Sequence, residues 1–191
     1  FRPTDGGPAL LRLLVPGSCS PSLYDVDLGE LARRGIRGLI LDLDNTLAEY
    51  ANADVPPRTR EWVQEAKARG FRICITSNAR PARVKAFAES LGVPGIAYAV
   101  KPVRRAFRRA LKILGTSPAE TAVVGDQLFT DVLGGNRMGM YTVLVNPLST
   151  KELGTTRLMR RLERRVLRHL VRRGMVREEH WRVREGGAPH A

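Results

Sequence analysis

Short apolar segments alternate with longer helix-like segments along most of this chain, and this alternation strongly restricts the folds it can adopt. The apolar segments predict five strands, at 37–43, 71–76, 96–100, 121–125 and 141–145. Pro near the start or Gly near the end of the intervening segments predicts helices at 58–69, 81–91, 102–114 and 128–137. Alternating strands and helices form βαβ units with parallel strands and right-handed crossovers. We therefore expect an α/β protein with a Rossmann-like, doubly wound parallel sheet.

The length of the chain suits one domain with a short extension. Of its 191 residues, 43% are hydrophobic and 27% are charged, which is typical of a globular protein. We expect a domain at 1–150 with its core at 37–147, in which residues 1–36 form a lead-in segment with one helix near 27–34. A break near Asn146-Pro147 separates this domain from a basic amphipathic helical tail at 151–191.

The apolar runs and the cysteines indicate the cellular compartment in which the protein is expected. No run approaches the roughly 18 apolar residues of a bilayer span. Cys19 and Cys74 have neither pairing nor metal-ligand spacing, and Cys74 lies in an apolar strand pattern typical of a core position. We expect a cytoplasmic protein, with peripheral attachment to the inner face of the membrane as an alternative. The start at Phe1 is compatible with removal of a leader.

The positive charge of the chain is concentrated in its tail. The net charge is +13 and the isoelectric point is about 10.9. Residues 151–191 hold 12 Lys and Arg against 5 Glu, whereas residues 1–150 hold 20 basic against 14 acidic residues. The expected partners are therefore anionic: a nucleic acid, an acidic membrane surface or a phosphorylated substrate.

Two aspartates stand at the end of the first predicted strand. Asp42 and Asp44 are separated by one residue and follow an apolar run that begins at Gly38. The carboxyl end of a strand is where ligands bind in a doubly wound sheet. The pair predicts one carboxylate that attacks and one that moves protons, beside a metal ion.

Three further strand ends also carry polar residues. The second strand ends in Thr76-Ser77-Asn78, the third in Lys101-Pro102, and the fourth in Gly125-Asp126 with Asp131 beyond. The carboxyl ends of parallel strands meet at one edge of the sheet, so these groups should converge. Several carboxylates, a hydroxyl and an amine suit phosphoryl transfer with Mg²⁺.

The motifs DLDNT at 42–46, TSN at 76–78, KP at 101–102 and GDQLFTD at 125–131 resemble those of the haloacid dehalogenase (HAD) superfamily of phosphatases. Order and spacing agree over about residues 37–147. The wider segments 22–47 and 125–148 resemble the YqeG-type branch of subclass IIIA. That branch includes mitochondrial and bacterial phosphatidylglycerophosphate phosphatases.

The resemblance implies roles for the acidic residues. Asp42 would be the nucleophile and a Mg²⁺ ligand, and Asp126 a second ligand. Asp44 would be the general acid and base, and its backbone carbonyl would also bind the metal. Asp131 would hold either the water shell of the metal or Lys101.

The resemblance also implies a phosphate-binding set. Lys101 would neutralise the phosphate and the nucleophile, and Ser77 would donate its hydroxyl with help from the backbone N–H of Asn78. Thr46 would support the loop after the nucleophile. Asn45 stands where many superfamily members have Gly, and Asn tolerates a left-handed turn.

The gaps between the motifs predict a capless, open site. Residues 46–76 hold only a loop and one helix before the second strand, and residues 77–101 hold one helix and one strand. Neither gap can contain an extra domain of typical size. An open site suits a phosphate that protrudes from a membrane lipid, a nucleic-acid end or a protein. The loop at 48–57 could act as a small flap.

The basic tail predicts an amphipathic helix at 157–173, with Glu163 and Arg173 on the wrong faces. Three interpretations remain open: a helix packed on the core, a helix on an anionic membrane surface, or a nucleic-acid arm. A nucleic-acid partner is the least favoured, because aromatic residues are only 6% of the chain.

Several other residues are interpreted as structural. Trp62 should pack on the first crossover helix, and Gly134-Gly135 should allow close packing. The three histidines, which lack ligand spacing, should lie at the surface; they are His169, His180 and His190. The arginines that follow Lys101 favour a solvated helix face, or else a positive approach to the site; they are Arg104, Arg105, Arg108 and Arg109.

The first functional hypothesis is a Mg²⁺-dependent phosphomonoester phosphatase that forms an aspartyl phosphate and acts on phosphatidylglycerophosphate at the membrane surface. The second is a phosphatase for nucleic-acid ends, proteins or soluble metabolites. The third is a non-catalytic phosphate sensor, which Ser77 and the paired aspartates disfavour. A homo-oligomer, in which a neighbouring subunit closes the open site, is compatible with each of them.

Overall fold

The computed structural model describes residues 9–50, 52–149 and 154–176. Within them lies one parallel sheet, whose strands are β1 Ser18–Ser20, β2 Gly38–Leu41, β3 Arg72–Thr76, β4 Gly95–Ile96, β5 Thr121–Gly125 and β6 Tyr141–Val145. The α-helices are α1 Ala9–Arg12, α2 Leu28–Arg33, α3 Pro57–Ala68, α4 Pro81–Leu91, α5 Arg104–Leu114, α6 Leu133–Asn136 and α7 Gly154–Arg172. The strand order is β1-β6-β5-β2-β3-β4, which is the doubly wound arrangement that the alternation predicts.

Helices cover both faces of this sheet. Leu39 and Leu41 of β2 pack into a core with α2, α3 and α4, whereas Ile40 packs on the opposite face with α5. Successive side chains of a strand point to opposite faces, so one fully apolar strand supplies both cores. Trp62 and Cys74 are buried as predicted.

The described residues between β2 and β3 comprise a loop and α3, and those between β3 and β4 comprise α4 and short connections. The carboxyl ends of β2, β3 and β5 therefore carry no inserted domain in the described part of the chain. This agrees with the capless architecture expected from the motif spacing.

The prediction of a strand at 96–100 is wrong beyond its first residue. β4 ends at Ile96, and the backbone φ angles of Tyr98 and Val100 are 46° and 51°. Non-glycine residues in this left-handed region interrupt an extended chain. The backbone instead wraps around the end of β3, where Ala99 N donates to Ser77 O at 3.0 Å. This detour delivers Lys101 to the edge of the sheet.

The lead-in segment contains a strand that the sequence did not indicate. β1 pairs in parallel with β6, with Ser18 opposite Val143, and so forms one edge of the sheet. Two of its three residues are Ser, which lacks the β-branched character of a strand. The helix expected near 27–34 is present as α2, and Asp27 caps it by accepting from Glu30 N at 2.8 Å.

The helix predicted at 128–137 is irregular. Residues Leu128–Val132 form one wide π-helical turn, and α6 follows directly. Gly134 and Gly135 permit close packing, as predicted: a Cβ at Gly134 would collide with the Phe107 ring, and one at Gly135 would lie 2.5 Å from Thr142 Cγ2.

The tail helix α7 packs on the core. Leu167 and Leu170 are buried against Leu128, Val132 and Leu144, whereas Met159 and Leu162 are about half exposed. His169 is exposed, and His180 and His190 lie outside the described residues. None of the helices within the described ranges has the length and apolar character required to cross a membrane.

Candidate active site

A tight loop places the first predicted residues of the site. Asp42 N donates to Val124 O at 2.9 Å, which extends the β2–β5 pairing by one residue. The chain then turns back, because Asn45 adopts φ 63° and its N–H donates to Ala48 O at 2.7 Å. Asn45 thus occupies the left-handed position expected of it, and the turn holds the side chain of Asp42 at the edge of the sheet.

Three buried carboxylates meet at this edge. Asp42, Asp126 and Asp131 each offer a carboxylate oxygen, and these oxygens lie within 4.8 Å of one another. Asp42 comes from the end of β2, Asp126 from the end of β5 and Asp131 from the π-helical turn. Such a cluster of hard oxygen donors is suited to a small divalent cation.

Lys101 bridges two of these carboxylates. Its Nζ lies 2.5 Å from Asp42 Oδ1 and 2.6 Å from Asp131 Oδ1, and all three side chains are buried. Burial alone would lower the pKa of Lys101, but Asp131 and Asp42 raise it above its ordinary value. Lys101 therefore remains an ammonium group, and its contact with Asp131 matches one of the two roles considered for that aspartate.

Among the described residues, the three carboxylates of the cluster outnumber the two basic side chains that contact them, Lys101 and Arg160. Burial raises the pKa of Asp42 and of Asp126, although Lys101 and Arg160 respectively act in the opposite direction. Oδ1 of Asp126 is buried and has no hydrogen-bond partner. A buried carboxylate oxygen without a donor is costly. The residues present therefore fit a divalent cation beside Asp126 Oδ1.

Ser77 and Asn78 follow β3 into the same edge. The hydroxyl oxygen of buried Ser77 accepts from Ala79 N at 3.1 Å, so its own O–H proton is available for another acceptor. Asn78 Oδ1 accepts from Lys101 N at 2.9 Å and so ties the β3 end to the Lys101 loop. The hydroxyl of Thr46 is buried without a hydrogen-bond partner.

Asp44 is not one of the three carboxylates that cluster in the described part of the chain, and it pairs instead with an arginine. Its Oδ1 accepts from Arg83 Nε at 2.8 Å, and its side chain is 19% exposed. Arg83 belongs to α4 and also donates to the backbone of the predicted flap, with Nη2 3.0 Å from Glu49 O. Arg83 is 39 residues from Asp44 and belongs to none of the motifs, so no sequence pattern indicated this contact.

The tail helix also reaches the site. Arg160 donates from Nη1 to the backbone oxygen of Asp126 at 2.6 Å and from Nη2 to the Asp126 carboxylate. Glu163 is buried, and its Oε1 accepts from Phe129 N at 3.1 Å. Neither residue was predicted to reach the site, and the only signal in the sequence was the position of Glu163 on the apolar face.

Comparison with known proteins agrees with this geometry. The haloacid dehalogenase-like hydrolase family matches residues 26–139. The chain is 40% identical over 170 residues to the probable phosphatase YqeG of Bacillus subtilis, covering 89% of this chain and 99% of that protein.

Two eukaryotic relatives carry a more specific name. Phosphatidylglycerophosphate phosphatase 1, chloroplastic/mitochondrial, of Arabidopsis thaliana is 32% identical over 180 residues, covering 88% of this chain. The chain spans only 51% of the length of that plant protein. The mitochondrial phosphatidylglycerophosphatase GEP4 of Saccharomyces cerevisiae is 31% identical over 169 residues, covering 74% of this chain and 90% of that protein.

The fold likewise has a solved counterpart. A crystal structure of an uncharacterized protein from Listeria monocytogenes serotype 4b matches with a TM-score of 0.50 and 19% identity, covering 62% of this chain and 85% of that one.

The family match and the relative from Bacillus subtilis show that the chain belongs to the haloacid dehalogenase-like hydrolases. It is a phosphatase of that family, which generally uses a divalent metal ion, and its buried carboxylates provide a matching site.

Proposed function

We propose that this phosphatase hydrolyses a phosphomonoester in two steps, with Asp42 as the nucleophile. The observation that carries the proposal is the contact of Lys101 Nζ with both Asp42 and Asp131, beside Asp126. The ammonium group sits where it can neutralise both the attacking carboxylate and the incoming phosphate.

In the first step, an oxygen of Asp42 attacks phosphorus and the ester P–O bond breaks. Protonated Asp44 gives its proton to the departing alkoxide, which leaves as an alcohol. In the second step, Asp44 takes a proton from water, the water oxygen attacks phosphorus, and the bond to Asp42 breaks. Inorganic phosphate is released and both aspartates return to their starting forms.

The proposed path also requires groups that bind the phosphate. Ser77 would donate its hydroxyl and Asn78 its backbone N–H to phosphate oxygens, while Lys101 would add positive charge. The unpartnered hydroxyl of Thr46 is available in the same loop. These groups come from three loops at one edge of the sheet, which allows them to surround a tetrahedral phosphate.

Asp42, Asp126 and the backbone carbonyl of Asp44 would hold Mg²⁺, with Asp131 supporting the site through Lys101. When bound, Mg²⁺ would supply charge stabilisation and orientation for the phosphate oxygens. The choice of Mg²⁺ rests on the all-oxygen donor set, since soft metals favour sulfur and nitrogen ligands.

The substrate that we propose is phosphatidylglycerophosphate. Two relatives bear the name of phosphatases for this lipid, and a phosphate on a lipid surface can reach a site without an inserted domain. Exposed apolar side chains flank site residues along the sequence: Val100 and Val103 are near Lys101, and Met159 and Leu162 are near Arg160. Together with the basic charge, they support peripheral contact with an anionic membrane.

The test is phosphate release from vesicles that contain phosphatidylglycerophosphate, compared with soluble sugar phosphates, nucleotides, phosphopeptides and para-nitrophenyl phosphate. We expect Mg²⁺-dependent release that is fastest with the lipid. The Asp42→Asn variant should lose at least about 10⁴-fold in turnover, because the amide is not a nucleophile. Good turnover of another ester with none of the lipid would refute the substrate. Full activity of Asp42→Asn would refute the nucleophile.

A further inference from the structure

We infer that Arg160, on the tail helix, is a positioning residue that orients Asp126 toward the cation. This inference rests on the proposed metal-dependent function. It assigns a role in the active site to a helix that lies outside the family match at 26–139 and outside all four motifs.

The contact geometry supports orientation. Arg160 binds Asp126 at two places, since Nη1 lies 2.6 Å from its backbone oxygen and Nη2 donates to its Oδ2. The contact with the backbone oxygen fixes the guanidinium, and the charge-assisted contact with Oδ2 then restricts rotation of the carboxylate. The other carboxylate oxygen, Oδ1, is left buried, without a hydrogen-bond partner and within the carboxylate cluster. The two oxygens of Asp126 are thereby divided between Arg160 and the cation position.

Arg160 is itself held in place. Its Nη1 lies 3.3 Å from Oε2 of Glu163, and the other oxygen of Glu163 accepts from Phe129 N at 3.1 Å. About one and two turns beyond Glu163, Leu167 and Leu170 fix α7 to the core. Glu163, only 3% exposed on the apolar side of α7, thus connects the guanidinium to the turn that follows Asp126.

The same contact has a rival interpretation with the opposite consequence. If Arg160 served instead as a substitute for the cation, its removal would free the site, and the protein would bind metal more tightly. If Arg160 orients Asp126, its removal lets the carboxylate rotate, and the protein binds metal more weakly. Outer groups that orient metal ligands typically contribute about 10–100-fold in affinity.

The experiment is direct titration of the full chain with Mn²⁺, followed by the electron paramagnetic resonance signal of the free ion. We expect the dissociation constant of Arg160→Met to rise about 10–100-fold over that of the natural protein. Arg160→Lys should fall between the two, because an ammonium group replaces only part of the two-point contact. The matched control is Arg164→Met, an exposed position one turn along α7, which should bind Mn²⁺ like the natural protein.

Glu163→Gln provides a second route if Arg160→Met fails to fold, and it should weaken Mn²⁺ binding in the same direction. Near-ultraviolet circular dichroism checks the fold of every variant. Unchanged or tighter Mn²⁺ binding by folded Arg160 variants would overturn the positioning role alone, provided that the natural protein binds Mn²⁺ and hydrolyses para-nitrophenyl phosphate. Failure of the natural protein to bind Mn²⁺ would overturn this inference together with the proposed metal site.

Discussion

At the scale of single residues, the contact between Arg83 and Asp44 bears on the proton transfers that we propose for Asp44. Arg83 joins Asp44, Glu49 O and the face of Phe87, whose ring centroid lies 4.9 Å from the guanidinium carbon. The proposed acid and base is therefore held by a helix from the next βαβ unit, and the same arginine holds the predicted flap. Whether residues 48–57 move as a flap stays a prediction.

We expect Arg83→Met to lower kcat about 10–100-fold, because the proposed acid and base loses the side chain that fixes its position, and a misplacement of about 1 Å can cost about 100-fold in rate. Steady-state hydrolysis of para-nitrophenyl phosphate measures this change. The control is Lys85→Met on the same helix, since Lys85 is exposed and pairs only with Glu89 among the ion pairs described. Equal activity of the two variants would show that Arg83 does not position Asp44.

The tail helix is the element whose role changed most between sequence and structure. From its arginine face and its apolar face, we expected a core-packed helix or a membrane-bound helix, with a nucleic-acid-binding helix as the least favoured interpretation. The structure shows α7 packed through Leu167 and Leu170, and it explains the misplaced Glu163 as an acceptor for Phe129 N. Membrane contact by the exposed part of the helix remains a proposal.

We expect Leu170→Ala to destabilise the protein by about 2–5 kcal/mol, because it leaves a cavity in a fully buried site. Leu162→Ala, on the same helix but 49% exposed, should change stability by no more than about 0.5 kcal/mol. Urea denaturation followed by circular dichroism provides both values. Similar effects of the two substitutions would contradict core packing of α7.

The acidic active site contrasts with the positive charge of the whole molecule. Although the chain carries +13 overall, its site concentrates three buried carboxylates around one lysine and one arginine. The excess of basic residues elsewhere attracts an anionic substrate, whereas the buried acids attract a cation. Stability should therefore depend on the metal ion.

We expect Mg²⁺ at about 100 times its dissociation constant to stabilise the fold by about 2.7 kcal/mol. Each kcal/mol raises Tm by about 2–4 °C in a domain of this size. Differential scanning calorimetry with Mg²⁺ or EDTA measures the shift. In Asp126→Asn, which loses a proposed ligand, most of the shift should disappear. An equal shift in the two proteins would place the bound ion elsewhere.

The local pattern of the chain was sufficient to predict the parallel sheet, four of its strands and the edge at which polar residues converge. Apolar runs that end in Asp42, Ser77 or Asp126 predict both a strand and the point where it ends. This is possible because the apolar pattern and the polar site residue lie within a few neighbouring residues. The short strand β4, the edge strand β1 and the detour at Val100 were not predictable in this way, since they depend on pairing with distant segments.

Contacts between distant segments required the three-dimensional arrangement. Arg83 meets Asp44 across 39 residues and Arg160 meets Asp126 across 34, and neither arginine belongs to a pattern that names its partner. In the sequence, a basic residue on a helix gives the same pattern whether its side chain faces water or a buried carboxylate. The packing of α4 and α7 against the sheet is what brings Arg83 and Arg160 to the site, because their contacts depend on the tertiary arrangement rather than on residue type.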